Sequence, residues 1–170
     1  EFVFDGKKVI GARTDNGIYT ADKFVMNVDF ATGMKGLIPD KLRKKWSNKK
    51  LDQKAYSCST YMLYLGIDRL YDTPHHQIYA SNDYQKNLRE VTENRVSWDD
   101  PSIYVQNACV TDPTMAPEGH STIYVLVPAS ISHGGINWEE IKDDYMDVIL
   151  RQMEKLGFDG IKDHIVSQTI

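Results

Sequence analysis

Apolar and polar positions alternate over several short stretches of the chain, and two of them stand out. Between Pro101 and Pro128 the sequence reads PSIYVQNACVTDPTMAPEGHSTIYVLVP, two apolar runs of strand character held apart by a loop full of Pro, Asp and Gly. Near the start, Val9 to Thr14 alternates, Asp15-Asn16-Gly17 supplies the positive φ of a tight turn, and Ile18 to Thr20 begins the return strand. Phe24 to Val28 reads as a further strand. Tyr56 to Leu65 is apolar or aromatic at both alternating sets of positions, which predicts a strand covered on each side. Gln77 to Ala80 predicts a shorter one.

Helical spacing appears in four places. IPDKLRKKW predicts a short helix with Asp40 as its cap. Ser81 or Asn82 caps a second, whose Tyr84, Leu88 and Val91 share one stripe. The longest follows Asn137, which with Glu140 resembles a capping box. It stops at Gly157 and lines Ile141, Tyr145, Val148, Ile149, Met153 and Leu156 along a core face. A last short helix is expected over residues 160–166. The order of elements lacks the strict alternation of parallel βαβ units, so the expected class is α+β, with a mixed, largely antiparallel sheet covered by helices.

Composition narrows the function classes. With 41% hydrophobic and 26% charged residues the chain is an ordinary globular domain, and a net charge of −4 gives no footprint for nucleic acid. No apolar run approaches the ~18 residues that span a bilayer, and the first residues lack the pattern of a signal peptide. Cys58 and Cys109 sit in strand-like segments rather than in a spaced framework, which favours a reduced, cytoplasmic setting with both thiols buried and inert. Lys41 to Lys54 holds seven basic residues against one acidic. Such a run is ordinarily a solvated face; the functional alternative is attraction to an anionic membrane surface, and hence peripheral membrane contact. The opening residues, with no Met and with strand pattern from the outset, are expected to be an interior piece of a larger protein.

The motifs of common chemistry do not appear. None of the 11 glycines has another two positions on, so there is no Gly-rich dinucleotide cradle, and no phosphate loop either. His75 and His76 are adjacent and would point to opposite sides of a strand, leaving one of them at most to join His120 on a metal; no metal site is expected. Asp99-Asp100 before Pro101 is explained as a turn. No catalytic group is assigned.

Three stretches, SWDDPSIYVQNACVTDPTMAPEGHSTIYVLVPA, HHQIYASNDY and ADKFVMNVDF, together resemble the middle of the phytoene desaturase family, the bacterial-type carotenoid desaturases. GARTDNG and ADKFVMNVD match the hairpin of that family, with Phe24-Val25 and Val28 in place of its commoner small and aliphatic residues. The resemblance implies an FAD-dependent flavoprotein that removes hydride from a long polyene, with a substrate domain inserted into a flavin domain. On that reading residues 1–33 are a remnant hairpin of the FAD domain and residues 34–170 are the substrate domain. FAD is expected in the longer parent and not in this piece, which is expected to be inactive alone.

A wholly apolar substrate offers almost no hydrogen-bonding handles, so it is held by burial, at about 25 cal/mol per Å² removed from water. The resemblance therefore implies that Tyr61, Leu63, Tyr104 and Tyr124 line the polyene site, with Met62, Val105, Ile123 and Val125 as further residues of the same type. Strand alternation lets only one face do so, and the plain alternative is that all of them form core. Asn27, Val28 and Asp29 are the positions implied to approach the cofactor. The contrasting reading is a free-standing, non-enzymatic module that binds an apolar ligand or a protein partner.

Overall fold

The structure, a computed structural model, describes residues 1–131 and 135–170. The chain forms two compact units, Glu1–Ala55 and Tyr56–Ile170.

In the first unit β1 (Phe2–Asp5), β2 (Lys8–Thr14) and β3 (Gly17–Tyr19) form a three-stranded antiparallel sheet. The predicted turn closes it, with Thr14 opposite Gly17, the Asn16 N–H donating to Thr14 Oγ1 at 3.2 Å, and Gly17 at φ +124°. Phe24 to Val28, expected as a strand, belongs to none. Its apolar residues are used in packing instead: the Phe24 ring meets Phe2 edge to face at 5.7 Å, and Met26 and Val28 close over Gly33, where a Cβ would stand 2.6 Å from Val28 Cγ2. Asp29 caps α1 (Phe30–Leu37), its carboxylate accepting from the Thr32 N–H at 2.8 Å. The helix expected from Asp40 is a single 3-10 turn, Asp40–Leu42, because Asp40 accepts from the Asn48 N–H at 2.9 Å and the chain turns into α2 (Asn48–Asp52), capped by Ser47.

The second unit is built on a five-stranded sheet in the order β5-β6-β7-β4-β8, from β4 (Ser59–Ile67), β5 (His76–Tyr79), β6 (Ile103–Asn107), β7 (Ser121–Ala129) and β8 (Ile165–Thr169). All the pairings between these strands are antiparallel, which with the helices makes the class α+β. The long helix α4 (Trp138–Glu154) covers one face of the sheet. Leu63, Ile123, Val125 and Val127 of the sheet and Ile149 and Met153 of the helix all lie in one cluster and are inaccessible to solvent. Burial of such side chains contributes about 1.5–3 kcal/mol each. Tyr145 and Val148 join that cluster as the periodicity predicts. The helix ends in a Schellman arrangement, with the N–H of Gly157 (φ +91°) donating to Glu154 O and that of Phe158 to Met153 O. At its start Asn137 is the N-cap without a side-chain hydrogen bond, so the expected capping box is not made.

Three further expectations are corrected. The last segment has only a 3-10 turn at Ile161–His164 before β8, an edge strand that pairs with β4. The helix α3 (Tyr84–Thr92) is capped by Asp83, not by Ser81 or Asn82. Its buried residues are Asn87 and Val91, with Tyr84 and Leu88 exposed, since the Asn87 amide is drawn inward by Ser97 Oγ and by the Ser102 N–H. Among the described residues no helix is long and apolar enough to cross a membrane.

Candidate functional site

Strand β4 was expected to be covered on both sides, and it is covered on one. Tyr61, Leu63, Leu65 and Ile67 are buried; Met62 is half-buried and Tyr64 half-exposed. The two neighbouring strands repeat the pattern, with Ile103 and Val105 of β6 and Ile123, Val125 and Val127 of β7 buried, and Tyr104, Tyr124 and Leu126 between them only partly so. Tyr61 identifies the covered side. Its hydroxyl donates to the Lys142 carbonyl of α4 at 2.6 Å, and its ring meets Tyr145 edge to face at 5.1 Å. Desolvation of that buried phenol, with the charge of Asp143 added, drives its pKa well above the usual tyrosine range.

Alternation therefore turns the other set of side chains away from α4. In register across four strands lie Ile78, Tyr104, Leu126 and Met62. Beside them runs a second row, His76, Gln106, Tyr124 and Tyr64. The Tyr64 and Tyr124 rings meet edge to face at 5.4 Å, Tyr104 and Tyr124 at 6.1 Å, and the Tyr104 hydroxyl is 2.7 Å from His76 Nδ1. At about 4.8 Å between strands each row is about 14 Å long. Ile78 at 76% and Tyr64 at 50% exposure mark this as an open face carrying aromatic and aliphatic side chains. At the end of the sheet near the start of α4, Tyr61, Met62, Ala129, Trp138 and Lys142 line a hollow of about 250 Å³.

The four residues assigned to the polyene are thus divided. Tyr104 and Tyr124 stand together on the open face, whereas Tyr61 and Leu63 lie on the side packed against α4, Leu63 wholly buried. Beneath α4, Leu63, Ile123 and Val125 are inaccessible to solvent. Met62, Ile78, Tyr64 and Leu126 share the open rows with them, as do His76 and Gln106. Of these, Tyr64, Ile78 and Leu126 are not among the residues expected to line the polyene site, and only the period of two links them to Tyr104.

In the first unit Asn27, Val28 and Asp29 are all exposed. Asp29 is engaged as the cap of α1, and hydrogen bonding from Thr32 lowers its pKa. No Gly-rich phosphate cradle accompanies them.

Several other polar groups stand differently from the sequence reading. His75 and His76 do not point to opposite sides, because His75 precedes β5; their ring centroids are 4.2 Å apart, and His75 is held by Thr111 Oγ1 and Gln106. Among the described residues no cluster of three metal-ligating side chains forms. Cys109 is buried in a 3-10 turn and its Sγ accepts from the Thr122 N–H, but Cys58 is exposed, lying just before β4. Asp100 is more than a turn residue: it accepts from Tyr79 Oη at 2.6 Å, Asn82 N at 2.7 Å, Gln152 Nε2 at 3.1 Å and Lys155 Nζ at 3.2 Å, tying β5 to the end of α4.

No protein-family model matches the chain. It is similar to curated proteins over most of its length. It is 40% identical over 150 residues, 88% of the chain, to a Methylomonas protein named 4,4'-diapophytoene desaturase (4,4'-diapolycopene-forming). It is 38% identical over 166 residues to the all-trans-zeta-carotene desaturase of Myxococcus xanthus, and 37% over 177 aligned positions to a 4,4'-diapophytoene desaturase (4,4'-diaponeurosporene-forming) of Staphylococcus aureus. The chain covers 29%, 31% and 34% of these three proteins, so it spans about a third of the length of the curated relatives it matches.

Proposed function

The chain belongs to the carotenoid desaturase family over the stretch it spans, and from that membership we propose that it forms the substrate-facing part of an FAD-dependent oxidoreductase that desaturates a long polyene. The observation that carries this reading is the open sheet face. A protein sheet that covers one side with a helix and leaves Ile78, Tyr104, Leu126 and Met62 in one row on the other, with Tyr124 and Tyr64 beside them, has surface to bury against something apolar. A polyene suits it, since flat conjugated carbon packs on Tyr104, Tyr124 and Leu126 without asking for hydrogen bonds.

In this proposal the residues of the sheet bind and orient the chain of the polyene and keep water from it. Tyr104 is held in place by His76. Bound FAD would supply the hydride acceptor. Asn27, exposed, is the group of the first unit offered to it, and Asp29 acts through the α1 cap.

Photo-crosslinking tests the reading. A diazirine-bearing C30 polyene, activated in the presence of the protein and located by mass spectrometry, is expected to label the outward residues of β4, β6 and β7. Labelling confined to the outer surface of α4 or to the loops would refute it.

A further inference from the structure

The basic segment of the first unit has a second partner in view. Of the seven basic side chains between Lys41 and Lys54, only Arg43 makes an ion pair among the described residues, with Asp40 at 3.2 Å. The one acidic residue of the run, Asp52, is engaged by Lys35. The six lysines make no ion pair among the described residues. Three of them gather round one indole: Lys45 Nζ lies 5.1 Å and Lys54 Nζ 5.7 Å from the centroid of Trp46, and Lys50 with Gln53 completes the rim of a shallow hollow of about 390 Å³. Trp46 is only half-buried and is met edge to face by Phe30 at 5.1 Å, itself 46% exposed. Val28, two residues before Phe30, is exposed as well, and Val25 is 93% exposed.

We propose that Lys45, Lys50 and Lys54 around Trp46 and Phe30 form a docking patch for an anionic phospholipid surface. Unneutralised ammonium groups repel one another in the free protein, and phosphate headgroups relieve that repulsion, while an indole and a phenyl ring sit at the depth where headgroups meet acyl chains. Two observations decide between polyanions: the chain segment leading to Phe30 exposes Val25 and Val28, which have a place in lipid and none along a nucleic-acid backbone, and the chain as a whole carries −4. This inference stands on the first unit alone and is independent of the polyene reading.

Co-sedimentation of the chain with phosphatidylcholine vesicles, with and without phosphatidylglycerol, tests it without any polyene. Binding is expected only to the anionic vesicles, with a blue shift of tryptophan emission that Trp46→Phe removes. Each lysine near the surface strengthens binding about fivefold, so Lys45→Gln/Lys50→Gln/Lys54→Gln is expected to weaken it about a hundredfold. Circular dichroism of the triple variant confirms that it is folded. Equal affinity for neutral and anionic vesicles, undiminished binding by the folded triple variant, or binding of inorganic phosphate or a single-stranded oligonucleotide in place of vesicles would overturn the proposal.

Discussion

Tyr124 of β7 lies directly opposite Tyr64 of β4, and the two rings meet edge to face with centroids 5.4 Å apart on the side of the sheet turned away from α4. One residue along, Leu63 opposite Val125 faces the other way and is closed from solvent. A single pair of strands thus separates two tasks. Inward residues hold the unit together, and outward residues present a largely aromatic and aliphatic surface that folding leaves partly exposed.

That separation predicts different costs on the two faces. Leu63→Ala opens a cavity beneath α4 and is expected to lower stability by about 2–5 kcal/mol. A double-mutant cycle on Tyr64→Ala and Tyr124→Ala is expected to show a coupling of about 0.5–1.5 kcal/mol. Urea denaturation measures both. A Leu63→Ala effect no larger than that of Tyr124→Ala would contradict the assignment of faces.

Asp100 predicts an acid-sensitive link. Burial pushes its pKa up, but hydrogen bonds from Tyr79, Asn82 and Lys155 outweigh burial and hold the carboxyl well below its usual range. A pKa depressed on folding contributes stability that is present above the unfolded value of about 3.9 and is lost as pH falls towards the folded one. Asp100→Asn is expected to cost about 1–3 kcal/mol at neutral pH, and the difference from the parent should shrink below about pH 4. Thermal melts across that range check it; a difference that stays constant would contradict the link.

On protonation, a carboxyl introduced at Asn107 would have the opposite effect, stabilising the fold where protonation of Asp100 weakens it. Asn107 is 1% exposed, and its Nδ2 donates to the Tyr71 carbonyl and to Thr73 Oγ1, both at 3.1 Å. Asn107→Asp replaces a donor by a buried carboxylate facing a carbonyl, at an expected cost of about 3–5 kcal/mol at neutral pH. Because burial raises the pKa of such a carboxyl, protonation on acidification should restore part of the loss. A deficit that grows on acidification would contradict this.

How much of this was legible in the sequence depends on where the deciding interaction lies. The helix α4 was readable because Tyr145, Val148, Ile149 and Met153 repeat at the helical period and Gly157 supplies its left-handed stop. The hairpin at Asp15-Asn16 was readable from three residues. Phe24 to Val28 misled because apolar residues there pack on Phe2 and Gly33 without joining a ladder. In β8 only Ile165 is drawn into the core and Val166 to Thr169 are exposed, so no alternation announces a strand held by pairing with β4. In α3 a buried amide replaces the apolar stripe, and its partners Ser97 and Ser102 lie beyond the helix. For the candidate site, a period of two places Tyr104 and Val105 on different faces. Which face α4 covers was fixed only by long-range contacts such as that of Tyr61 with Lys142 and Tyr145.

The most direct test of the open face is the affinity of the chain for a C30 polyene, read from the circular dichroism that binding induces in the polyene absorption band. Tyr104→Ser/Tyr124→Ser is expected to weaken binding about a hundredfold with little loss of stability, since each ring removes roughly 1.4 kcal/mol of apolar contact. Leu63→Ala, measured where it remains folded, is expected to bind as the parent does. Undiminished affinity in the tyrosine variant, with loss in Leu63→Ala, would place the polyene beneath α4 and contradict the account.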